Sequence, residues 1–319
     1  METTLHYLVA AAALRSFSAN KSTKKVYRYL GNRKVKRPFD FEKAAWVFSR
    51  MPKCSGPSRM LDLGTGWAHR YSLLPALLVP DLEIYCFDVW DNRSLNALKD
   101  SIAEVPSTLQ RLPALSELQV TNAQNRVAAV LRAKDFSEAY FALGIRDYQV
   151  RPGGVPDFPP DFFDAICSGD VIEHVNREAL DAATHSWHRS LKPGGRFVTQ
   201  VGLDDHVAHY SRSAGPKEYL RYSDSVFRHL LENDVQYVNR LTASEILETF
   251  EAHGLRVTEA IREMMDETPP VHRDYGWQTA EDVRTIRLLI TAEKPDSPHP
   301  FGQSITRTMS GAHSAGSRP

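Results

Sequence analysis

Cysteine is scarce in this sequence. The three present, Cys54, Cys86 and Cys167, lie too far apart for paired-ligand spacing. That excludes a disulfide framework and a cysteine-built zinc cluster, and it points to a reducing, cytoplasmic compartment. Cys86 and Cys167 fall in apolar runs, where a buried inert thiol is expected. No other residue pattern points to a metal site. Long apolar runs are also missing. The stretch from Leu5 to Leu14 is too short to span a bilayer, and no basic residues precede it as a secretory leader would require. A helix packed on the main domain is expected there, and no transmembrane segment. Net charge is absent too: 39 basic and 39 acidic residues cancel. No global field draws the chain to nucleic acid, so none is expected as a partner. Internal repeats are not visible.

What the sequence does have is concentrated in Arg59-Met60-Leu61-Asp62-Leu63-Gly64-Thr65-Gly66-Trp67-Ala68. An apolar run meets two glycines spaced by one residue, and a helical pattern from Arg70 to Leu78 follows. Strand, tight turn and helix are expected, with the glycines bringing the backbone close to a ligand at a helix N-terminus. A dinucleotide fingerprint would place its third glycine where this chain has His69. About 20 residues past the turn, Leu82-Glu83-Ile84-Tyr85-Cys86-Phe87-Asp88 reads as a strand ending in a carboxylate, the distance at which an acid meets ribose hydroxyls. Asp91 competes with Asp88 for that role; Asp88 is preferred because it directly ends the apolar run.

Four motifs then stand in order: Asp62-Leu63-Gly64-Thr65-Gly66-Trp67, Phe87-Asp88-Val89, the run Phe163-Asp164-Ala165-Ile166-Cys167-Ser168-Gly169-Asp170-Val171-Ile172-Glu173-His174-Val175, and Leu191-Lys192-Pro193-Gly194-Gly195-Arg196-Phe197. Together they resemble the class I S-adenosylmethionine-dependent methyltransferases over roughly residues 57 to 293. Ala68 departs from the pattern, standing where many relatives carry a third glycine. The resemblance implies an α/β fold: a Rossmann-like sheet, mostly parallel, with helices on both faces and an antiparallel edge strand. It implies S-adenosylmethionine as cofactor, held by Asp62, Gly64, Thr65, Gly66, Asp88, Ser168, Gly169 and Asp170. It places Glu173 and His174 near the cofactor, either in a structural role, as helix cap or support for neighbouring groups, or in catalysis. The usual adenine-contacting acid after the third strand has no match.

The expected organisation is an N-terminal helical extension over residues 1–55, a methyltransferase domain over 56–294, and a disordered tail over 295–319, where few large apolar groups remain. Two helical insertions are expected, at about 105–147 and 203–241. The first would form a cap from helices at Ser107 to Leu118, Asn122 to Ala133 and Phe136 to Leu143, with Tyr148 to Arg151 as the third strand. The second, with Tyr219, Tyr222, Phe227, Tyr237, Asn239 and Arg240, looks like a substrate lid. From Lys21 to Arg37 the chain carries eight basic residues and no acid; a solvated face or a rim for an anionic substrate or carrier both fit. Thr242 and Glu245 form a capping-box pattern for a helix from Ala243 to His253.

After the fifth strand comes Gly202-Leu203-Asp204-Asp205-His206. An imidazole here suits removal of a proton from a substrate hydroxyl, with His206 as base and Asp205 orienting it; the alternative is that Asp204 to Tyr210 only hydrogen-bond the following cap. The expected reaction is methyl transfer to an oxygen, or a nitrogen, of a small or medium-sized metabolite, free or carrier-linked. A nicotinamide-dependent reductase and a non-catalytic binding subunit are the alternatives.

Overall fold

The computed structural model describes residues 2–20, 22–24, 26, 39–53, 56–112, 115–211 and 214–296. Cys54, most of the basic segment 21–37, and the tail beyond residue 296 lie outside the described residues. The elements run in order α1 (Glu2–Ser18), α2 (Phe41–Arg50), β1 (Ser58–Leu63), α3 (Leu73–Leu78), β2 (Leu82–Asp88), α4 (Leu95–Thr108), α5 (Glu117–Arg132), α6 (Phe136–Leu143), β3 (Ile145–Val150), β4 (Phe163–Gly169), α7 (Arg177–Ser190), β5 (Leu191–Gly202), α8 (Ala243–Ala252), β6 (Arg256–Met264) and β7 (Thr285–Glu293), with short helical turns between.

Seven strands form one sheet in the order β3-β2-β1-β4-β5-β7-β6. Neighbours from β3 to β5 pair in parallel, and β7 inserts antiparallel between β5 and β6. Strand order reverses between β1 and β4, so a crevice opens beyond their C-terminal ends, where open α/β sheets bind ligands. Side-chain alternation along β1 sets the two faces. Met60 enters a core built with Ile84 and Cys86 and covered by α2 to α6. Leu61 and Leu63 point the other way, toward Phe163, Trp187 of α7 and Phe250 of α8.

The first insertion differs from expectation. Pro106 stays within α4, which continues to Thr108, and α5 starts at Glu117 behind the Ser116–Gln119 capping box. Ala123, Val127, Val130, Ala139 and Leu143 all enter the main core. These helices therefore form a layer on the sheet, because their apolar stripes match the face that Met60 and Ile84 expose. The third strand begins at Ile145, ahead of the expected Tyr148, once Gly144 closes α6 with φ of 71°. The Lys192–Gly195 turn is a bulge inside β5: the register jumps from Phe163↔Leu191 to Ala165↔Arg196. The Thr242–Glu245 capping box forms as read from sequence.

A third, smaller core joins α1 to the segment after β5. Tyr7, Ala11 and Leu14 pack against Val207, Tyr219, Leu220, Phe227 and Tyr275. Among the described residues no helix is long and apolar enough to cross a membrane.

Candidate functional site

The glycine turn forms at the C-terminal end of β1, and its two glycines divide the work. Both have left-handed φ, 72° at Gly64 and 64° at Gly66. A Cβ on Gly64 would sit 2.2 Å from the Val171 side chain, so its bareness makes room for protein. A Cβ on Gly66 would meet only the Gly64 carbonyl oxygen, at 3.9 Å. Gly66 is thus the position with open space for a ligand. The helical pattern expected from Arg70 starts only at Leu73, because residues 67–72 are turns. His69, in the place of a dinucleotide-motif third glycine, keeps a glycine-like φ of 51°.

Asp88 lies beside this loop. Its carboxylate accepts from the Gly66 N–H at 3.0 Å and from the Trp90 N–H at 3.3 Å. Burial raises its pKa, and those backbone donors oppose the rise. Each oxygen keeps a lone pair for further donors such as ribose hydroxyls. Asp91 is turned elsewhere: Arg93 grips both its oxygens at 2.8 and 2.9 Å. Asp62 and Thr65 brace the loop from behind. Ser72 donates to Asp62 Oδ2 at 2.7 Å and the Thr65 hydroxyl donates to the Asp62 carbonyl at 2.9 Å. Burial pushes the Asp62 pKa up to about 7, and its Oδ1 has no partner.

On β4, Ser168 pairs in register with Leu63 and keeps a buried, unpartnered hydroxyl. Gly169 receives the Tyr71 ring; a Cβ there would overlap it at 2.1 Å. Asp170, with φ of 57°, pairs with Lys43 of α2 at 3.0 Å. Open space at Gly66, acceptors on Asp88 and the unsatisfied Ser168 hydroxyl fit a nucleoside-bearing cofactor at the β1/β4 crevice.

Sequence reasoning missed the cluster behind the loop. His69 is fully buried, its Nε2 lies 2.7 Å from the Tyr140 hydroxyl, and Phe136 and Tyr148 pack around it. Burial lowers its pKa to about 3, with the Arg93 charge adding to the effect. Arg93 itself stacks on Tyr148, 4.3 Å from the ring centre. The only sequence signal was a histidine where a glycine is usual.

Beyond β5 the expected pairing is replaced. Asp205 is 2% exposed and accepts from the Tyr7 hydroxyl at 2.7 Å, Val207 N–H at 2.9 Å and Tyr219 N–H at 3.0 Å. Those bonds tie α1 to the segment after β5, and none reaches His206. The aspartate that orients an imidazole is Asp204, whose Oδ2 lies 2.6 Å from His209 Nε2. His206 stands between rings, 5.0 Å from His174 and 5.3 Å from His209. Burial lowers its pKa to about 4, and the neighbouring His174 adds to that. Its Nδ1 is buried without a partner. Glu173 is 2% exposed, its Oε1 accepts from the Gly202 N–H at 3.2 Å, and its Oε2 has no partner. Burial lifts its pKa well above the usual carboxylate range.

The residues expected to form a lid are already docked. Tyr219 and Phe227 are buried. Asn239 donates to the Ile172 and Val175 carbonyls at 2.8 and 3.0 Å, and Arg240 donates to Asp224 and the Tyr275 hydroxyl. Asn239 thus clamps the Glu173–His174 turn in place.

The sheet order, the glycine turn and the acid at the end of β2 define a class I methyltransferase. A family model described as a methyltransferase domain matches residues 36–260, and the chain belongs to that family. It is an S-adenosylmethionine-dependent methyltransferase. No curated protein matches it. Solved structures similar to the chain include phosphoethanolamine N-methyltransferase 2 from Haemonchus contortus in complex with S-adenosylmethionine, at 17% identity, covering 88% of this chain and 60% of that one, with a TM-score of 0.47. Geranyl diphosphate C-methyltransferase from Streptomyces coelicolor A3(2) is similar at 13% identity over 79% of this chain and 77% of that one, TM-score 0.44. A TehB-like S-adenosylmethionine-dependent methyltransferase from Corynebacterium glutamicum is similar at 14% over 86% and 97%, TM-score 0.40.

Proposed function

We propose that this enzyme methylates an oxygen, or a nitrogen, of a small or medium-sized metabolite, with His206 at the acceptor. The observation that carries this is the placement of His206 beside His174 and the unpartnered Glu173 oxygen, at the C-terminal ends of β4 and β5. The cofactor would rest on Gly66, with Asp88 toward its ribose and Ser168 to Asp170 along its edge. When bound it would supply an electrophilic methyl group on a positive sulfur, with the neutral thioether as leaving group.

The protein's part is to place and prepare the acceptor. A ring held neutral by burial, like His206, has a lone pair ready for an acceptor proton. His209, oriented by Asp204, is the next imidazole outward and can pass that proton to solvent. Asp205 supports the arrangement from below by fixing the loop that carries His206. A cytoplasmic location agrees with cysteines that carry no paired spacing.

The test is incubation of the enzyme with S-adenosylmethionine carrying a trideuterated methyl group and a host metabolite extract, read by mass spectrometry. A labelled methyl ether or methylamine should appear with wild type and fall about 10²–10⁴-fold in rate with His206→Ala. Label arriving on carbon, or undiminished labelling by His206→Ala, would overturn the acceptor assignment.

A further inference from the structure

Glu173, His174 and His206 converge from two separate segments, the turn after β4 and the loop after β5. Each offers one ligand atom, and the three atoms lie within 4.8 Å of one another. Ligands about 2.0–2.2 Å from a shared cation stand up to about 4.4 Å apart, so small side-chain rotations close the set. We propose that these three side chains form a binding site for one divalent first-row transition cation, of the Zn²⁺ or Mn²⁺ kind.

Three observations carry this besides proximity. First, His174 has its tautomer fixed. Its Nδ1 lies 2.6 Å from the Tyr237 carbonyl oxygen, which can only accept. Nδ1 therefore holds the hydrogen, and Nε2 presents a lone pair. A backbone carbonyl behind the far ring nitrogen is the usual support of a metal-ligating histidine. Second, two of the ligand groups carry buried polar atoms without partners, Glu173 Oε2 and His206 Nδ1. Leaving such atoms unsatisfied is unfavourable, and one cation would satisfy both. Glu173 is itself 2% exposed and held in place through Gly202, where a Cβ would come within 2.9 Å of Oε1. Third, the surroundings are acidic. Asp170 and Asp204 both act on Glu173 and on His174 through their charge.

Two imidazoles and one carboxylate match zinc and other first-row cations better than magnesium, which prefers an all-oxygen shell. Three protein ligands leave coordination positions open, as in catalytic sites, and the exposed edge of His174 is the open side. The site stands on its own geometry. Its role, holding an acceptor oxygen and lowering that oxygen's pKa, rests on the methyl-transfer reading above. With a cation bound His206 is a ligand and His209 with Asp204 takes the acceptor's proton; the base role given to His206 above is that of the cation-free site.

The test uses metal-stripped full-length protein titrated calorimetrically with ZnCl₂, MnCl₂ and MgCl₂. S-adenosylhomocysteine binding is measured on the same samples. One Zn²⁺ or Mn²⁺ should bind per chain, with Mg²⁺ weaker. Glu173→Gln, which can still accept from Gly202, and His206→Asn should each weaken binding at least about 100-fold, the upper end for mutating even an outer-shell partner. S-adenosylhomocysteine affinity should stay unchanged in both variants, which also shows that they fold. Absence of stoichiometric binding by Zn²⁺ and Mn²⁺, or binding that both variants leave intact, overturns the site. Retained cofactor binding with no cation would sink the metal site alone, whereas failure to bind S-adenosylhomocysteine would sink the methyltransferase reading.

Discussion

Asp88 and His69 show how much single residues carry beyond their motif. The place of Asp88 at the end of β2 was legible because it ends an apolar run. That it also accepts the Gly66 N–H, and so shapes the loop, was not legible, since the bond spans 22 positions of sequence. His69 could be flagged only as a missing glycine. The structure shows a histidine held at positive φ by burial among aromatic rings. Its acid response has a definite sign. The folded chain resists protonating it until about pH 3, while an unfolded histidine binds its proton near pH 6.5. Stability from this group is therefore complete above about 6.5 and is lost as pH falls below it. At pH 5 the loss is about 2 kcal/mol. His69→Asn tolerates the left-handed backbone and carries no such proton. The stability gap between wild type and His69→Asn, measured by urea unfolding, should narrow by about 2 kcal/mol between about pH 7 and pH 5. A gap that does not change with pH would show that the ring accepts a proton where it sits.

The glycines make a second residue-level case. Replacing either one with Ala costs about 1–2 kcal/mol for the left-handed backbone. Gly64→Ala adds a clash with Val171 that Gly66→Ala lacks. Val171→Ala should therefore recover part of the stability lost in Gly64→Ala and none of that lost in Gly66→Ala. Equal effects in both backgrounds, read by thermal unfolding, would deny the contact.

Among the elements, those announced by local signals were the easiest to place. The capping box before α8 is written in two residues three positions apart. The start of α3 was misplaced because the turns at 67–72 depend on Asp62 bonding Ser72, a contact no periodicity reveals. The helices between β2 and β3 look like a cap in sequence because their apolar residues give no hint of which surface they cover. The helix α1 is another contact-dependent element. Its Tyr7 hydroxyl reaches Asp205 across 198 positions. Tyr7→Phe should destabilise the fold by about 1.5–3 kcal/mol, the worth of a hydrogen bond to a charged group, with cofactor affinity unchanged. Denaturant unfolding measures this; an unaltered stability would mean that the other two donors satisfy Asp205 alone.

Over the whole molecule, the resemblance carried by the four motifs implied the mostly parallel sheet with an antiparallel edge, and the sheet has both. Three of the four motifs hold the C-terminal ends of β1, β2 and β4, so reading them in sequence amounts to reading the crevice; the fourth opens β5 at the opposite end of the sheet. The acceptor side was less legible. Its groups come from β4, β5 and the segment after β5, and which aspartate serves which histidine depends on loop packing. Asp204 and Asp205 are neighbours in sequence, yet one orients His209 and the other anchors α1. The account stands or falls on the crevice between β1 and β4 as the cofactor seat, with Asp88 at its ribose end. Calorimetric titration with S-adenosylhomocysteine tests it most directly. Wild type should bind one ligand per chain, Asp88→Ala should bind about 1–3 kcal/mol more weakly, and Asp91→Ala, whose carboxylate belongs to Arg93, should bind like wild type. Full affinity in Asp88→Ala, or a loss confined to Asp91→Ala, would contradict it.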